Sequence, residues 1–356
     1  MIKHLQIKNF RGFKTFELDN MKQITLLSGL NNVGKSTVLE SIFLMNDHFV
    51  PDVFLKLNVF RGMEKQPMIS FAPFFFNEDI AEPMEIGIST DNKEYKLSLQ
   101  EDDSYVFPVT SDMPIEIKQM LTSEPTGQSK ASTLLFEFSE GQNYEEVGHF
   151  LIRANNVYKN TTSAPKTILR MPFTQYISPR MGNDVAQVSE WFGKLELSDK
   201  KNLVVQAMQE FDSSIVDVST IVSNGFAQLY AKVNNKLLPL KILGDGTNRL
   251  LLMQLAILAN PNGIILIDEI ENGFHYSVLP TLWKTLFSAA KLANCQIIAT
   301  THSYECIQNA IDYATRNSEE DRFGFVRLEK RNEDVCAKPF SINALDYAVK
   351  SEIEVR

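Results

Sequence analysis

The 356-residue sequence has few cysteines, few histidines and no long apolar run. Cys295, Cys306 and Cys336 lack the paired spacing of a disulfide framework or a zinc site, which implies a reducing, cytoplasmic setting. Spanning a bilayer takes about 20 consecutive apolar residues, and runs such as 71–76 and 264–267 fall far short of that. The opening Met1-Ile2-Lys3-His4 has no apolar signal region, so no membrane partner is expected. A basic excess is missing too. The 35 Lys and Arg against 44 Asp and Glu leave a net charge of -9. That balance argues against a protein that coats nucleic acid by bulk electrostatics, though a local basic groove stays open. No repeat or low-complexity segment interrupts the chain. The hydrophobic fraction of 44% suits a globular protein with a sizeable core.

Hydrophobic periodicity divides the chain. Residues 1–28 read as strands, with Arg11-Gly12 as a turn and 23–28 as a buried strand. From 35 to 48 the pattern is helical, Val38, Leu39, Ile42 and Phe43 sharing a face. Short alternating runs at 84–89, 95–99, 134–138 and 149–152 look antiparallel, punctuated by Pro, Gly, Asn and Asp. Residues 184–212 look helical with a break at Ser198-Asp199, and 214–240 return to strands. Then come a helix over 247–260, a buried strand at 264–267, a helix over 278–292 and a buried strand at 296–300. That alternation implies a parallel sheet. The expected division is 1–50 and 214–356 as a core made from both chain ends, 51–183 as a β-rich lobe and 184–213 as a helical segment.

The strongest motif is Gly29-Leu30-Asn31-Asn32-Val33-Gly34-Lys35-Ser36, followed by Thr37. It has the P-loop spacing. Chance supplies such a match in about one chain in 100 of this length; the buried strand before it and the amphipathic helix after it lower that further. Glycines let successive amides turn inward onto phosphate oxygens, and the helix adds its positive end. Lys35 is expected to bridge the β- and γ-phosphates of ATP, and the Ser36 hydroxyl to hold Mg2+.

Two strand ends carry further chemistry. The run Gly263-Ile264-Ile265-Leu266-Ile267-Asp268-Glu269 ends in paired carboxylates: Asp268 for the magnesium shell, Glu269 to orient or deprotonate the attacking water. Glu271 could line the same pocket or cap the following helix. Gln296-Ile297-Ile298-Ala299-Thr300-Thr301-His302-Ser303 offers His302 as a γ-phosphate sensor, while Ser303 could equally cap a helix starting near Tyr304. His275 reads either as a dimer contact or as part of a packed turn. Finally, Leu243-Gly244-Asp245-Gly246-Thr247-Asn248-Arg249 opens an apolar helix, a second anion-binding device. One triphosphate rarely needs two, so Gly244, Asp245 and Gly246 are expected to clasp a nucleotide held on a second copy.

This order of motifs resembles the ABC-type ATPase heads shared by transporter subunits, SMC proteins, RecF and the OLD family. The opening Ile7-Lys8-Asn9-Phe10-Arg11-Gly12-Phe13 looks like the RecF/SMC/OLD branch. Asp268 to His275 and Leu243-Gly244-Asp245-Gly246 look like the stand-alone AAA/OLD-like ATPases of bacteria. The resemblance is dense at 1–45 and 240–305 and poor between. It implies an α/β P-loop NTPase fold, with a parallel core sheet, an antiparallel β lobe and a helical insertion. It also implies Arg11 close to the nucleotide, and Gln175, on position alone, as the glutamine that reaches magnesium. The signature serine of transporters is absent here. Asp245 beside a γ-phosphate is repulsive unless metal or Arg249 offsets it. Residues 303–356 contain no Asp-x-Asp, so the Toprim nuclease domain of OLD proteins is not expected.

The leading expectation is an ATP-hydrolysing switch whose two heads close around two ATP molecules and signal to a separate effector protein. The resemblance extends this to phage defence or DNA repair. A transporter motor is the alternative, disfavoured by the Asn-Phe-Arg opening and the Gly-Asp-Gly signature. A module that holds ATP without turnover is disfavoured by Glu269. DNA stays open as a partner through a loose basic stretch, Lys159, Lys166, Arg170 and Arg180 with Tyr158, Phe173 and Tyr176, which more often is a solvated face.

Overall fold

Alternating burial along the first residues builds a hairpin: β1 (Ile2–Phe10) and β2 (Phe13–Leu18) pair antiparallel, Leu5 opposite Leu18 and Phe10 opposite Phe13. β3 (Ile24–Gly29) is buried at every position, as a strand covered on both faces must be. The loop that follows opens α1 (Lys35–Asp47), and α2 (Val53–Phe60) comes next. The structure is a computed structural model. It describes all residues except 64, 65, 69, 109–114, 116, 117, 120–131, 143, 154, 155, 165–171, 180–184, 224, 225, 333 and 352–356.

β4 (Met84–Thr90), β5 (Glu94–Glu101), β6 (Ser132–Glu140), β7 (Tyr144–Arg153) and β8 (Asn156–Ser163) form an antiparallel meander. It joins the first hairpin through β1 and β4, giving a seven-stranded sheet in the order β2-β1-β4-β5-β6-β7-β8. The alternating runs at 84–89, 95–99, 134–138 and 149–152 all lie on these strands. Phe54 of α2 makes edge contacts with Phe71, Phe74 and Phe150, an aromatic core beneath the sheet.

β9 (Thr174–Ile177), α3 (Val185–Leu197), α4 (Lys201–Phe211) and the antiparallel trio β10 (Ile215–Ser223), β11 (Phe226–Val233) and β12 (Lys236–Pro239) follow. The last part alternates as expected: α5 (Asp245–Leu258), β13 (Ile264–Ile267), α6 (Leu279–Ala293), β14 (Gln296–Thr300) and α7 (Tyr304–Arg316). β15 (Phe323–Arg331), β16 (Asp334–Phe340) and α8 (Ile342–Lys350) complete the described elements. The second sheet runs β16-β15-β3-β14-β13-β9, with β3, β14, β13 and β9 mutually parallel. Thus β9, which falls within the stretch expected to be a β-rich lobe, belongs to the parallel sheet. At four residues it is too short for periodicity to place. Around this sheet, Trp191, Phe192, Trp283 and Phe287 pack with the strand aliphatics, and Trp283 Nε1 donates to the Cys306 carbonyl at 3.0 Å.

Compactness groups the chain into two units: Met1–Met21, Asn32–Met171 and Leu328–Ala337 in one, Lys22–Asn31, Pro172–Arg327 and Lys338–Arg356 in the other. α1 falls with the antiparallel strands, α3 and α4 with the parallel sheet. Among the described residues no helix is long and apolar enough to cross a membrane.

Candidate functional site

The P-loop follows directly from β3. Gly29 ends that strand at φ 139°, Asn32 turns at φ 60° and Gly34 at φ 105°, a succession of positive φ angles that favours glycine and asparagine. Gly34 is the N-cap of α1. A Cβ there would lie 2.5 Å from the Phe13 ring, so the Asn-Phe-Arg-Gly-Phe turn and the loop demand glycine together. The opening amides of α1 have no intrahelical acceptor, and Lys35, at 5% exposure, begins the helix beside them. Val33 is buried, while Leu30, Asn31 and Asn32 are exposed.

Arg11 has a partner that sequence reasoning missed. Glu40 of α1 is fully buried; its Oε2 forms an ion pair with Arg11, 2.8 Å from Nε, and its Oε1 accepts a hydrogen bond from Arg61 Nε at 2.7 Å. Arg61 Nη2 also donates to Glu40 Oε2 at 2.9 Å and to the Thr37 hydroxyl at 3.3 Å. One carboxylate therefore anchors two guanidiniums to the helix that begins at Lys35. Asn9, at φ 53°, donates to the carbonyls of Asp79 and Glu82 and accepts from Phe76 N–H, which holds the turn in place.

Asp268 directly follows β13 and is 8% exposed. Its Oδ1 accepts from Thr300 at 2.6 Å and its Oδ2 from the Tyr176 hydroxyl at 3.2 Å. Glu269 follows at φ 48°, in the left-handed region, with its N–H donated to Thr300 Oγ1 at 2.8 Å. Its carboxylate accepts from Asn272 Nδ2 at 3.3 Å. β14 thus orders both acids through one threonine. Glu271 caps backbone: its Oε1 accepts the His302 N–H at 2.7 Å. Ser303 does cap α7, accepting from Cys306 N–H at 3.1 Å, with His302 just before it. Glu269, Glu271, His302 and Asp268 are therefore brought to neighbouring strand ends.

The glycine turn differs from expectation in one respect. α5 begins at Asp245, so Asp245 and Gly246 are its first helical residues and Gly244 its N-cap. A Cβ on Gly246 would lie 2.7 Å from the Gly273 carbonyl oxygen, packing the turn against the loop after Glu269. Arg249 turns its guanidinium to backbone carbonyls. Its Nη2 donates to the carbonyls of Asp268 at 2.7 Å and Glu269 at 3.0 Å, and its Nη1 to that of Ser178 at 3.2 Å. Burial lowers the Arg249 pKa, while the carboxylates of Asp268, Glu269 and Glu271 pull it back up. Strand-end carbonyls need donors, and the helix after a glycine turn supplies them; that need was the available signal.

The remaining candidates have the following surroundings. Gln175 sits on β9 opposite Ile265 and donates to the Tyr176 carbonyl at 3.0 Å. His275 is exposed and caps a short turn through Ser277. Lys159 is tied into a buried pair with Glu146 at 2.8 Å, which removes it from a basic face. Lys166, Arg170 and Arg180 lie outside the described residues.

The AAA ATPase domain family profile matches residues 1–180 and 174–307. A Helicobacter pylori protein described as an ATP/GTP phosphatase is 27% identical over 336 residues, covering 86% of this chain and 87% of its own length. The DNA replication and repair protein RecF of Nitrosococcus oceani is 48% identical over 44 residues, 12% of either chain. Among solved structures, the Smc head bound to the C-winged helix domain of ScpA aligns over 98% of this chain and 99% of that one. Its TM-score is 0.51 at 13% identity, a likeness of fold.

Proposed function

The chain belongs to the AAA ATPase domain family and has the fold of an ABC/SMC-like ATPase head, and from that premise we propose that it is an ATP-hydrolysing switch completed by a second copy. The observation that carries the reading is the loop itself: left-handed Gly34, pressed on Phe13, leads straight into α1 and Lys35. In this reading the amides of residues 29–37 and Lys35 grip the triphosphate. Glu269 takes the proton of the attacking water and His302 reads the γ-phosphate. Gly244, Asp245 and Gly246 of one copy clasp the nucleotide of the other. Among the described residues no cluster of three His, Cys, Asp or Glu side chains could cage a metal. A magnesium ion would instead rely on the Ser36 hydroxyl, Asp268 and phosphate oxygens, a hard-oxygen set that suits it. Bound there, it would neutralise charge building on the phosphates.

The output proposed is a conformational signal to a separate effector protein in the cytoplasm, in phage defence or DNA repair, with DNA as a further partner to be tested. The relative described as an ATP/GTP phosphatase supports testing GTP beside ATP. Glu269→Gln should bind ATP and accumulate as a dimer on sedimentation, and Lys35→Ala should bind no nucleotide by calorimetry. A Glu269→Gln form that stays monomeric with ATP would remove the shared site; ATP affinity surviving in Lys35→Ala would remove the P-loop role.

A further inference from the structure

We propose that Arg249 is a positioning residue that sets the backbone at Glu269 and ties the glycine turn to the carboxylate pair; this rests on the ATPase reading above and deepens it. Arg249 lies one helical turn into α5. Its hydrogen-bond partners among the described residues are carbonyl oxygens, those of Ser178, Asp268 and Glu269. These follow the ends of two adjacent parallel strands, β9 and β13. A planar guanidinium with a rigid fork of donors can serve several carbonyls at once, whereas a lysine ammonium is a point charge on a flexible stem.

What the fork holds is an unusual backbone. Glu269 sits at φ 48°, a conformation that residues with a Cβ seldom keep unless their surroundings impose it. Three contacts impose it here. Thr300 Oγ1 accepts the Glu269 N–H, Asn272 N–H donates to the Glu269 carbonyl at 3.0 Å, and Arg249 Nη2 donates to that same carbonyl. The first two come from β14 and from the loop itself; Arg249 alone comes from α5. Gly246, three residues earlier on that helix, packs on Gly273 of the same loop. The first turn of α5 is thereby joined to residues 268–273 at two places. A displacement of the turn by an opposing nucleotide would be carried to the carbonyls beside both acids. Arg249 touches no reacting atom in this scheme; it acts through Glu269.

The test uses the full chain as wild type, Arg249→Lys and Arg249→Gln. Hydrogen exchange is followed at the amides of Glu269 and Ile270, bonded to Thr300, and of Asn272 and Phe274, bonded within the loop. ATP affinity comes from calorimetry and kcat from phosphate release. Exchange is expected to speed up in 268–274 and not in 264–267, with Gln more affected than Lys. ATP affinity should hold within about threefold while kcat falls about 10²-fold, the scale of a misplaced reacting group. Unchanged exchange in 268–274 overturns the clamp, as does a kcat loss that only follows ATP affinity. Should the Gln form fail to fold, the Lys form carries the same comparison. A wild type that binds ATP and never hydrolyses it sinks the ATPase reading, and the exchange data then decide the clamp by themselves.

Discussion

The Thr300 hydroxyl donates to Asp268 Oδ1 at 2.6 Å, and the same oxygen accepts the N–H of Glu269 at 2.8 Å. A single side chain on β14 thus holds the carboxylate of one acid and the backbone of the next. Thr300→Val keeps the shape and removes both bonds, leaving a nearly buried carboxylate and a part-buried N–H each short of one partner. We expect a loss of about 1–3 kcal/mol in urea unfolding, with a lowered kcat. Thr300→Ser, which keeps the hydroxyl, should stay close to wild type. Equal behaviour of the two variants would refute the ordering role.

Glu40 serves Arg11 and Arg61 from a fully buried position on α1. Removing one member of a buried ionic group strands the charges left behind, at a cost of about 3–5 kcal/mol. Glu40→Ala should therefore lower the melting temperature far more than Arg61→Ala, whose side chain is 38% exposed. Comparable shifts in thermal melts would contradict the geometry.

The elements that local pattern could place were legible. The run 264–267 is apolar on both faces and became β13 with the same ends, and the P-loop motif lies within eight consecutive residues. What stayed hidden depended on contacts distant in sequence. Glu40 reads as one more helix acid until Arg11 and Arg61 arrive 29 and 21 positions away. Thr300 reads as a strand residue until β13 lies beside it. Arg249 looked like a counter-charge for its neighbour Asp245, yet α5 turns it toward carbonyls 19 and 20 residues on. α2 escaped notice because its aromatic and β-branched residues, Val53, Phe54 and Phe60, weaken the helical signal.

His48 supplies a pH prediction. Burial holds its imidazole down at about 4, against an ordinary 6.5, with the Lys159 cation adding to the effect. The hydrogen bond from its Nδ1 side to the Met45 carbonyl, at 2.7 Å, and the Glu146 carboxylate work the other way. Between those two values the unfolded chain binds the extra proton, so stability is fully present above about pH 6.5 and declines as pH falls toward 4. The slope from this one group reaches at most about 1.4 kcal/mol per pH unit. His48 stacks on Phe138 with centroids 4.1 Å apart, so His48→Phe can keep an aromatic contact while removing the titration. Urea midpoints at pH 7.5 and 5 should diverge less in that variant; identical divergence would exclude His48 as the source.

Gly244 and Gly246 look interchangeable as letters and differ in space. Around Gly244, at φ -49°, an added Cβ meets nothing within 4 Å, and this N-cap backbone is open to any residue. Against the best caps, alanine at an N-cap costs about 1 kcal/mol and glycine only a few tenths, so Gly244→Ala should cost somewhat under about 1 kcal/mol. Gly246 sits inside α5, where alanine would be favoured over glycine by about 1 kcal/mol on helix propensity. Its Cβ, however, would stand 2.7 Å from the Gly273 carbonyl oxygen and 3.3 Å from Phe274 Cδ1. Gly273 is itself held at φ 82°, so that carbonyl cannot swing away as a side chain would. Steric overlap of this kind costs about 1–3 kcal/mol and outweighs the propensity gain. Gly246→Ala should therefore be the less stable variant, and its loop should show faster exchange at Asn272 and Phe274. A Gly246→Ala protein more stable than Gly244→Ala would mean that the first turn of α5 and the loop after Glu269 do not touch as described.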